Sequence, residues 1–345
     1  MEYVYYINDV LKPRITQNEK VLDLFAGCGG LSLGFEAAGF ETYGFEMEVQ
    51  ASNTYSKNLV GNCKPEKLYL GFEYPESEII IGGPPCQPFS VGGAQKGIDD
   101  ARNGFPIFMD AIERLKPKLW LFENVRGMLY SNKWYLDEVI SKLESLGYIV
   151  EIKLLNAVHF GVPQNRERVI VVGHKAKFQY PKQAKKLTNV GEAIGDFMST
   201  SPPESQFLTE SMDQYVKNYE IASKCINPRD LYPDRPARTL TCRNIAAATG
   251  DMHRVKLPDG RRRRILVREA ARLQSFPDWF EFSGNTTEQY YQIGNAVPPL
   301  FAYQLAQSIK ECLSLGILYS DYEIQKINEQ KSIWRVPSAE QPQIV

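Results

Sequence analysis

The residues that could do chemistry in this chain stand at the ends of apolar runs. Cys86 follows Gly82-Gly83-Pro84-Pro85, where two glycines and two prolines break an apolar run and hold the backbone in a stiff, extended turn. A thiol delivered that way can be a nucleophile, and it can equally be a small buried apolar residue, the commoner fate of a free cysteine. Glu123 closes the run Leu119-Trp120-Leu121-Phe122. Glu46 closes Glu41-Thr42-Tyr43-Gly44-Phe45, about 20 residues past Gly27, where a carboxylate that holds ribose hydroxyls is expected. Arg166 and Arg168 are two apart in an extended segment, which places both on one face, suited to a phosphate and base oxygens or to pairing with surface acids.

These residues need elements to position them. Lys20-Val21-Leu22-Asp23-Leu24-Phe25 reads as a buried strand, Ala26-Gly27-Cys28-Gly29-Gly30 as a glycine loop, and residues 31–39 as a helix. Strand, glycine loop and helix form the first unit of a nucleotide-binding α/β sheet. Ser32 stands where the last glycine of a dinucleotide fingerprint would be, which favours another nucleoside ligand over a pyrophosphate. Further strands are expected at 41–45, 78–81, 118–122, 148–155 and 169–173, with helices at 105–115 and 134–143. Four strands thus hand over to Gly27, Glu46, Cys86 and Glu123. In an open parallel sheet those ends lie along one edge, where ligands bind, and this alignment moves Cys86 from packing to chemistry. The glycine-rich stretch 91–100 reads as a loop over that edge.

The 345 residues fit one large domain and a smaller one. No apolar run is long enough to span a bilayer, and the start Met1-Glu2-Tyr3 lacks a signal-peptide pattern. The six cysteines (28, 63, 86, 225, 242 and 312) contain no C-x-x-C pair, which argues against a zinc ribbon or disulfide framework and for a reducing, cytoplasmic setting. Formal net charge is −1, yet residues 224–272 hold 13 Lys/Arg against 5 Asp/Glu, a net of +8. A basic segment on an otherwise acidic chain reads as a local docking surface for a polyanion, with Arg261-Arg262-Arg263-Arg264 as its densest part; a solvated loop is the blander reading. The texture changes near residue 178. Order returns at Arg268-Glu269-Ala270-Ala271-Arg272, and Gly294-Asn295-Ala296-Val297-Pro298-Pro299 opens a helix from Leu300 to about Leu313.

Together these motifs resemble the cytosine-C5 DNA methyltransferases of bacterial restriction-modification type. Asp23-Leu24-Phe25-Ala26-Gly27-Cys28-Gly29-Gly30-Leu31 is similar to the family's S-adenosylmethionine loop. Gly83-Pro84-Pro85-Cys86-Gln87-Pro88-Phe89-Ser90 is similar to its nucleophile motif, and Glu123-Asn124-Val125 to its base-binding motif. Gln164-Asn165-Arg166-Glu167-Arg168 resembles its Gln-x-Arg-x-Arg motif. Arg235-Pro236-Ala237-Arg238-Thr239-Leu240-Thr241 and the 268–274 segment resemble the borders of its target-recognition domain, and Gly294-Asn295-Ala296-Val297-Pro298-Pro299 its closing motif. Two departures stand out: residues 63–72 offer no Asp for the cofactor adenine, and Val267 replaces a common Thr.

The resemblance implies a doubly wound, mostly parallel α/β sheet of the S-adenosylmethionine-dependent type with a smaller DNA target-recognition domain. The expected division is 1–178 catalytic, 179–267 recognition, 268–325 a return to the catalytic domain, and 326–345 a peripheral tail. It implies catalysis by Cys86, Glu123, Arg166 and Arg168. Cofactor binding would fall to Phe25, Ala26, Gly27, Cys28, Gly29, Gly30, Leu31, Glu46, Met47, Pro85, Asn295 and Ala296. DNA contacts would come from Gln87, Ser90, Gly92, Asn124, Gln164, Arg238, Arg243 and Arg261, Arg262, Arg263 and Arg264. The cofactor would be S-adenosyl-L-methionine, leaving as S-adenosyl-L-homocysteine, with no metal. The partner would be double-stranded DNA, in functional pairing with a restriction endonuclease, and the chain a cytoplasmic monomer. The chemistry fits the residues: a thiolate added at C6 makes C5 of cytosine electron-rich enough to take a methyl group, in a base lifted from the duplex. The rivals are an RNA (tRNA) cytosine methyltransferase, a catalytically silent DNA-binding homologue and a nicotinamide enzyme on the same first unit.

Overall fold

The computed structural model describes residues 2–85, 103–222, 224, 229–246, 251–316 and 318–333. Its centre is a seven-stranded sheet of β1 (Lys20–Leu24), β2 (Glu41–Phe45), β3 (Asn62–Lys64), β4 (Ile79–Gly82), β5 (Leu119–Val125), β6 (Ile149–Asn156) and β7 (Glu167–His174), in the order β3-β2-β1-β4-β5-β7-β6. The first five strands pair in parallel; β7 runs antiparallel between β5 and β6. Short β-branched and aromatic runs make these strands, and both faces are covered. Val21, Ile79, Ile81, Leu119, Leu121, Ile170 and Val172 belong to one buried cluster, whereas Leu22, Leu24, Ile80, Trp120, Phe122, Val169 and Val171 belong to the other. The alternation is the period of two expected of a strand buried on both sides.

Helices Gly30–Ala38 and Pro299–Ser314 cover the first face together with helix Val267–Leu273; helices Phe105–Leu115 and Lys133–Ser145 cover the second. No helix among the described residues is long and apolar enough to cross a membrane.

Residues 179–267 carry short elements: helix Val190–Ile194, helix Glu210–Ala222, helix Cys242–Ile245, and the hairpin of β8 (Arg254–Lys256) and β9 (Arg262–Arg264). Their apolar side chains, among them Ile194, Leu231, Leu240, Val255 and Ile265, join the cluster that packs on the main sheet. The polar C-terminal stretch forms helix Asp321–Ile333. It lies along the free edge of the sheet, with Asn328 Nδ2 donating to Tyr148 O (2.8 Å) and Lys331 Nζ pairing with Glu151 (2.6 Å). A boundary at 325/326 would cut through this helix.

Candidate active site

The C-terminal ends of β1, β2, β4 and β5 line up on one edge of the sheet, as parallel pairing requires. Antiparallel β7 enters at the same edge. Arg168, its second residue, sits opposite Val125, which makes it the diagonal neighbour of Glu123 on one face. The side chains meet: Arg168 Nε lies 2.7 Å from Glu123 Oε1, and both are about nine-tenths buried. Arg168 Nη1 donates to Glu167 O (2.8 Å). Glu123 also faces the turn after β4, its Oε2 lying 4.0 Å from where a Cβ on Gly83 would be.

That turn is clamped twice. Asn124 Nδ2 donates to Pro84 O (3.0 Å), and Gly104 N donates to Pro85 O (3.0 Å). Asn124 Oδ1 accepts from Val125 N (2.8 Å), which orients the amide. The proline arm read from sequence is therefore held rigidly up to the residue before Cys86. Cys86 itself, with Gln87, Ser90, Gly92 and the loop expected at 91–100, lies outside the described residues.

Residues expected to hold the cofactor lie at the adjoining strand ends and in the segment 295–296. Glu46 accepts from Gly27 N (2.8 Å) with one oxygen and from Glu48 N (2.9 Å) with the other; burial holds its carboxyl above the usual range. Among the described residues nothing lies within 4 Å of where a Cβ on Gly27 would be, whereas a Cβ on Gly30 would meet Val297 O at 2.4 Å. The loop thus presents an open cradle on one side and packs against residues 296–297 on the other. Phe25 takes a left-handed φ of 64°, a conformation rare for a bulky side chain and found at constrained sites. Met47 and Asn295 are exposed, Ala296 and Pro85 are half-buried, and Ala26 is buried. Cys28 offers only its main chain: the thiol is buried, faces Gln292 O at 3.7 Å, and burial pushes it up to about 12. Gly29 and Leu31 are likewise buried. Among the described residues no group of three or more His, Cys, Asp or Glu is placed to hold a metal.

Several expected substrate contacts are corrected by burial. Arg166 and Arg168 do not share a task. Arg166 is 1% exposed, and its guanidinium donates to Leu240 O (2.6 Å), Gly294 O (3.3 Å) and Ala296 O (2.9 Å). It ties the start of β7 to the segment that borders the glycine loop. Gln164 is fully buried, donates to Leu273 O (2.9 Å) and Gln274 Oε1, and accepts from Leu240 N (3.0 Å), so its amide is taken up within the fold. Asn124 serves Pro84, as above.

The arginine run is taken up by acids and carbonyls. Arg263 is fully buried in a two-pronged pair with Glu269 (2.7 and 2.8 Å). Arg262 pairs with Asp230 (2.8 Å) and Asp213 (3.2 Å), and Arg264 donates to Gln206 Oε1 (2.8 Å) and Ala246 O (2.8 Å). Arg261 is exposed, pairs with Asp259 (2.7 Å) and lies over Phe207. Count of charge pointed to a docking surface; within the fold, ion pairs take up Arg262 and Arg263, and an amide and main-chain carbonyls take up Arg264. Arg238 pairs with Asp251 (3.3 Å), and Arg243 is exposed on helix Cys242–Ile245. Beside the Glu123–Arg168 pair opens a cleft of about 590 Å³ whose lining includes Val125, Arg126, Asn132, Asn165, Arg168 and Thr239. Sequence reasoning passed over Arg126, Asn165 and Thr239. Arg126 directly follows Glu123-Asn124-Val125, and Asn165 and Thr239 lie within motifs already noted but were given no role there.

Comparison with known proteins agrees with this geometry. Residues 19–311 match the family C-5 cytosine-specific DNA methylase. The type II methyltransferase M.AplI of Arthrospira platensis is 54% identical over 319 residues, covering 91% of this chain and 92% of that protein. The type II methyltransferase M.FnuDI of Fusobacterium nucleatum is 36% identical, covering 86% and 95%. Among solved structures, the S. pombe Dnmt2 methyltransferase superposes with a TM-score of 0.65 at 18% identity, over 86% of this chain and 98% of that one.

Proposed function

The chain belongs to the C-5 cytosine-specific DNA methylase family and is an S-adenosylmethionine-dependent DNA cytosine methyltransferase; from that premise we propose that it acts covalently, through Cys86, on a cytosine swung out of duplex DNA. The observation that carries the reading is the Glu123–Arg168 pair at 2.7 Å, set beside the doubly clamped Pro84-Pro85 arm whose next residue is Cys86.

The residues divide the work as follows. The Cys86 thiolate forms a bond to C6 of the base, and the C5=C6 electron pair moves to C5. Glu123 holds the N3 edge and shares a proton with it, and Arg168 donates to the base oxygen; both offset the negative charge that grows on the ring. The pair is pre-formed, so little reorganisation is left for the reacting state. When bound, S-adenosylmethionine would supply an electrophilic methyl group to C5, with S-adenosyl-L-homocysteine as the leaving group. Loss of the C5 proton to a base then restores the double bond and expels Cys86. Glu46 is suited to the ribose hydroxyls and the open space over Gly27 to the approach of the ligand. Because the base must leave the stack to reach these groups, the cleft beside Arg168 is the natural seat of the adjoining strand.

The relatives named type II methyltransferases support a biological role in which this enzyme marks a short specific site against a cognate restriction endonuclease. Incubation with methyl-labelled cofactor and mixed-sequence duplex DNA, followed by sequencing for 5-methylcytosine, tests the reading. Modification at one short motif is expected. Label in transfer RNA alone, or in neither nucleic acid, would overturn it.

A further inference from the structure

A file of five buried side chains runs beneath the glycine loop. It starts at Asp23 on β1, passes through Ser32, Tyr55 and Thr42, and ends at Glu36; none is more than 2% exposed. Ser32 Oγ lies 2.6 Å from Asp23 Oδ2, and Tyr55 OH 3.0 Å from Ser32 Oγ. Thr42 Oγ1 lies 2.6 Å from Tyr55 OH and 2.7 Å from Glu36 Oε1. Each of these four oxygen–oxygen contacts needs one hydrogen, and the three hydroxyls bring only three. With two ionised carboxylates, one contact would face oxygen to bare oxygen in a site without water's compensation. A carboxyl must supply the fourth hydrogen.

The surroundings decide which one. Burial raises the carboxyl of Glu36 as well as that of Asp23, but Glu36 accepts main-chain N–H groups from Gly61 (2.8 Å) and Val60 (2.7 Å), donors that favour its ionised form and that Asp23 lacks among the described residues. For Asp23, Ser32 is the one hydrogen-bond partner among the described residues. The titratable groups around Asp23 are Glu46 at the end of β2, Cys28 in the loop, Cys63 on β3 and Tyr55, none of them cationic.

We propose that Asp23 is held as the neutral acid, donating to Ser32 Oγ, and that this proton orders the glycine loop and so links cofactor affinity to pH. The hydrogens then run in one direction, from Asp23 to Ser32, Tyr55, Thr42 and Glu36, and every contact is satisfied. Burial, with a smaller push from Glu46, raises the Asp23 carboxyl to about 7, in the range where the proton is exchanged near neutrality. The file bears on the loop directly. Gly29 has a left-handed φ of 85°, and a Cβ there would meet Tyr55 Cδ2 at 2.7 Å, so the tyrosine ring is the floor on which the loop lies. Ser32 sits in the first turn of the helix that the loop starts. Asp23 is thus a positioning residue.

The inference rests on the reading that this loop binds S-adenosylmethionine, and the two can fail separately. Isothermal titration with S-adenosylmethionine should show the dissociation constant rising about fivefold between about pH 6 and 8.5, the worth of one hydrogen bond. In Asp23→Asn the amide donates at every pH, so the constant should stay flat within about twofold. Infrared difference spectra of Asp23→Asn and Glu36→Gln against the wild type at about pH 6 read the proton itself. A protonated-carboxyl band lost in Asp23→Asn and kept in Glu36→Gln is expected. A band absent from the wild type, or lost in Glu36→Gln instead, would overturn the proposal, as would an Asp23→Asn titration that keeps the wild-type pH dependence. Failure of any cofactor binding at every pH would instead sink the loop's assignment.

Discussion

Asn124→Ala separates positioning from substrate contact at the heart of the site. The side chain is 5% exposed; it gives a 3.0 Å bond to Pro84 O and takes one of 2.8 Å from Val125 N. Val125 is exposed, and water can replace the bond to its N–H; Pro84 is buried, and its carbonyl is left without that donor. A buried acceptor stripped of its donor costs roughly 1–3 kcal/mol, so a melting point lower by a few degrees, roughly 2–4 °C, is expected. The kinetic effect follows from the arm. With one of its two clamps gone, the arm before Cys86 keeps the bond from Gly104 N to Pro85 O, and misplacement of a reacting group by about 1 Å costs on the order of a hundredfold. Single-turnover methyl transfer, with DNA and cofactor saturating, should therefore slow by about 10- to 100-fold. The dissociation constant for cofactor should hold within about twofold, since the bonds from Asn124 to Pro84 O and Val125 N lie on the β4 turn and β5 rather than in the glycine loop. Asn124→Asp keeps an acceptor for Val125 N but sets a second acceptor against Pro84 O, and should be as slow. Wild-type single-turnover rates in both variants, alongside the lowered melting point, would show that the clamp holds the fold and not the reaction.

Arg263→Ala should lower stability by about 3–5 kcal/mol, because it leaves Glu269 charged and buried; denaturant unfolding measures this. Arg261→Ala should leave stability within about 0.5 kcal/mol. His253 is buried with Arg238, Arg229 and Arg254 nearby, and burial first, then Arg238, lowers it to about 3. The unfolded chain takes that proton near the ordinary 6.5 and the folded chain resists it. Stability contributed by this group is thus present above about pH 6.5 and lost towards pH 3, on the order of 4 kcal/mol in all. His253→Gln should unfold at a lower pH than the wild type in an acid titration followed by circular dichroism. Deleting residues 321–333 should uncover the edge carbonyls of Tyr148 and Val150, and light scattering on warming should report faster aggregation than in the full chain.

Six of the seven strands were legible because each is a short apolar run ending near a glycine, a proline or a pointed polar residue; β3 (Asn62–Lys64) was not, because its three residues include two exposed polar ones. The pairing of Glu123 with Arg168 was less so. Spacing placed Arg166 and Arg168 on one face, but the loop before β7 turns the first into a bracket of main-chain carbonyls and leaves only the second beside Glu123. The arginine run misled for a related reason: counting charge along the chain does not reveal acids such as Asp213, Asp230 and Glu269 that fold back onto it. Helices Glu210–Ala222 and Asp321–Ile333 were hidden by their polarity; only Val216 is buried in the first, and the second is anchored by Asn328 and Lys331 rather than by a stripe of leucines. Ser32, read as a break in a glycine pattern, is a link in a buried hydrogen-bonded file.

The covalent role of Cys86 is tested most directly with duplex DNA that carries 5-fluorocytosine at the target position. Fluorine cannot leave C5 as a cation, so once the methyl group is transferred the double bond cannot re-form and the thiol cannot depart. With S-adenosylmethionine present, mass spectrometry of the wild-type protein should find a DNA adduct at Cys86 that survives denaturation, and Cys86→Ser should give none. Methylation of ordinary DNA by Cys86→Ala, or an adduct mapped to another residue, would contradict the account.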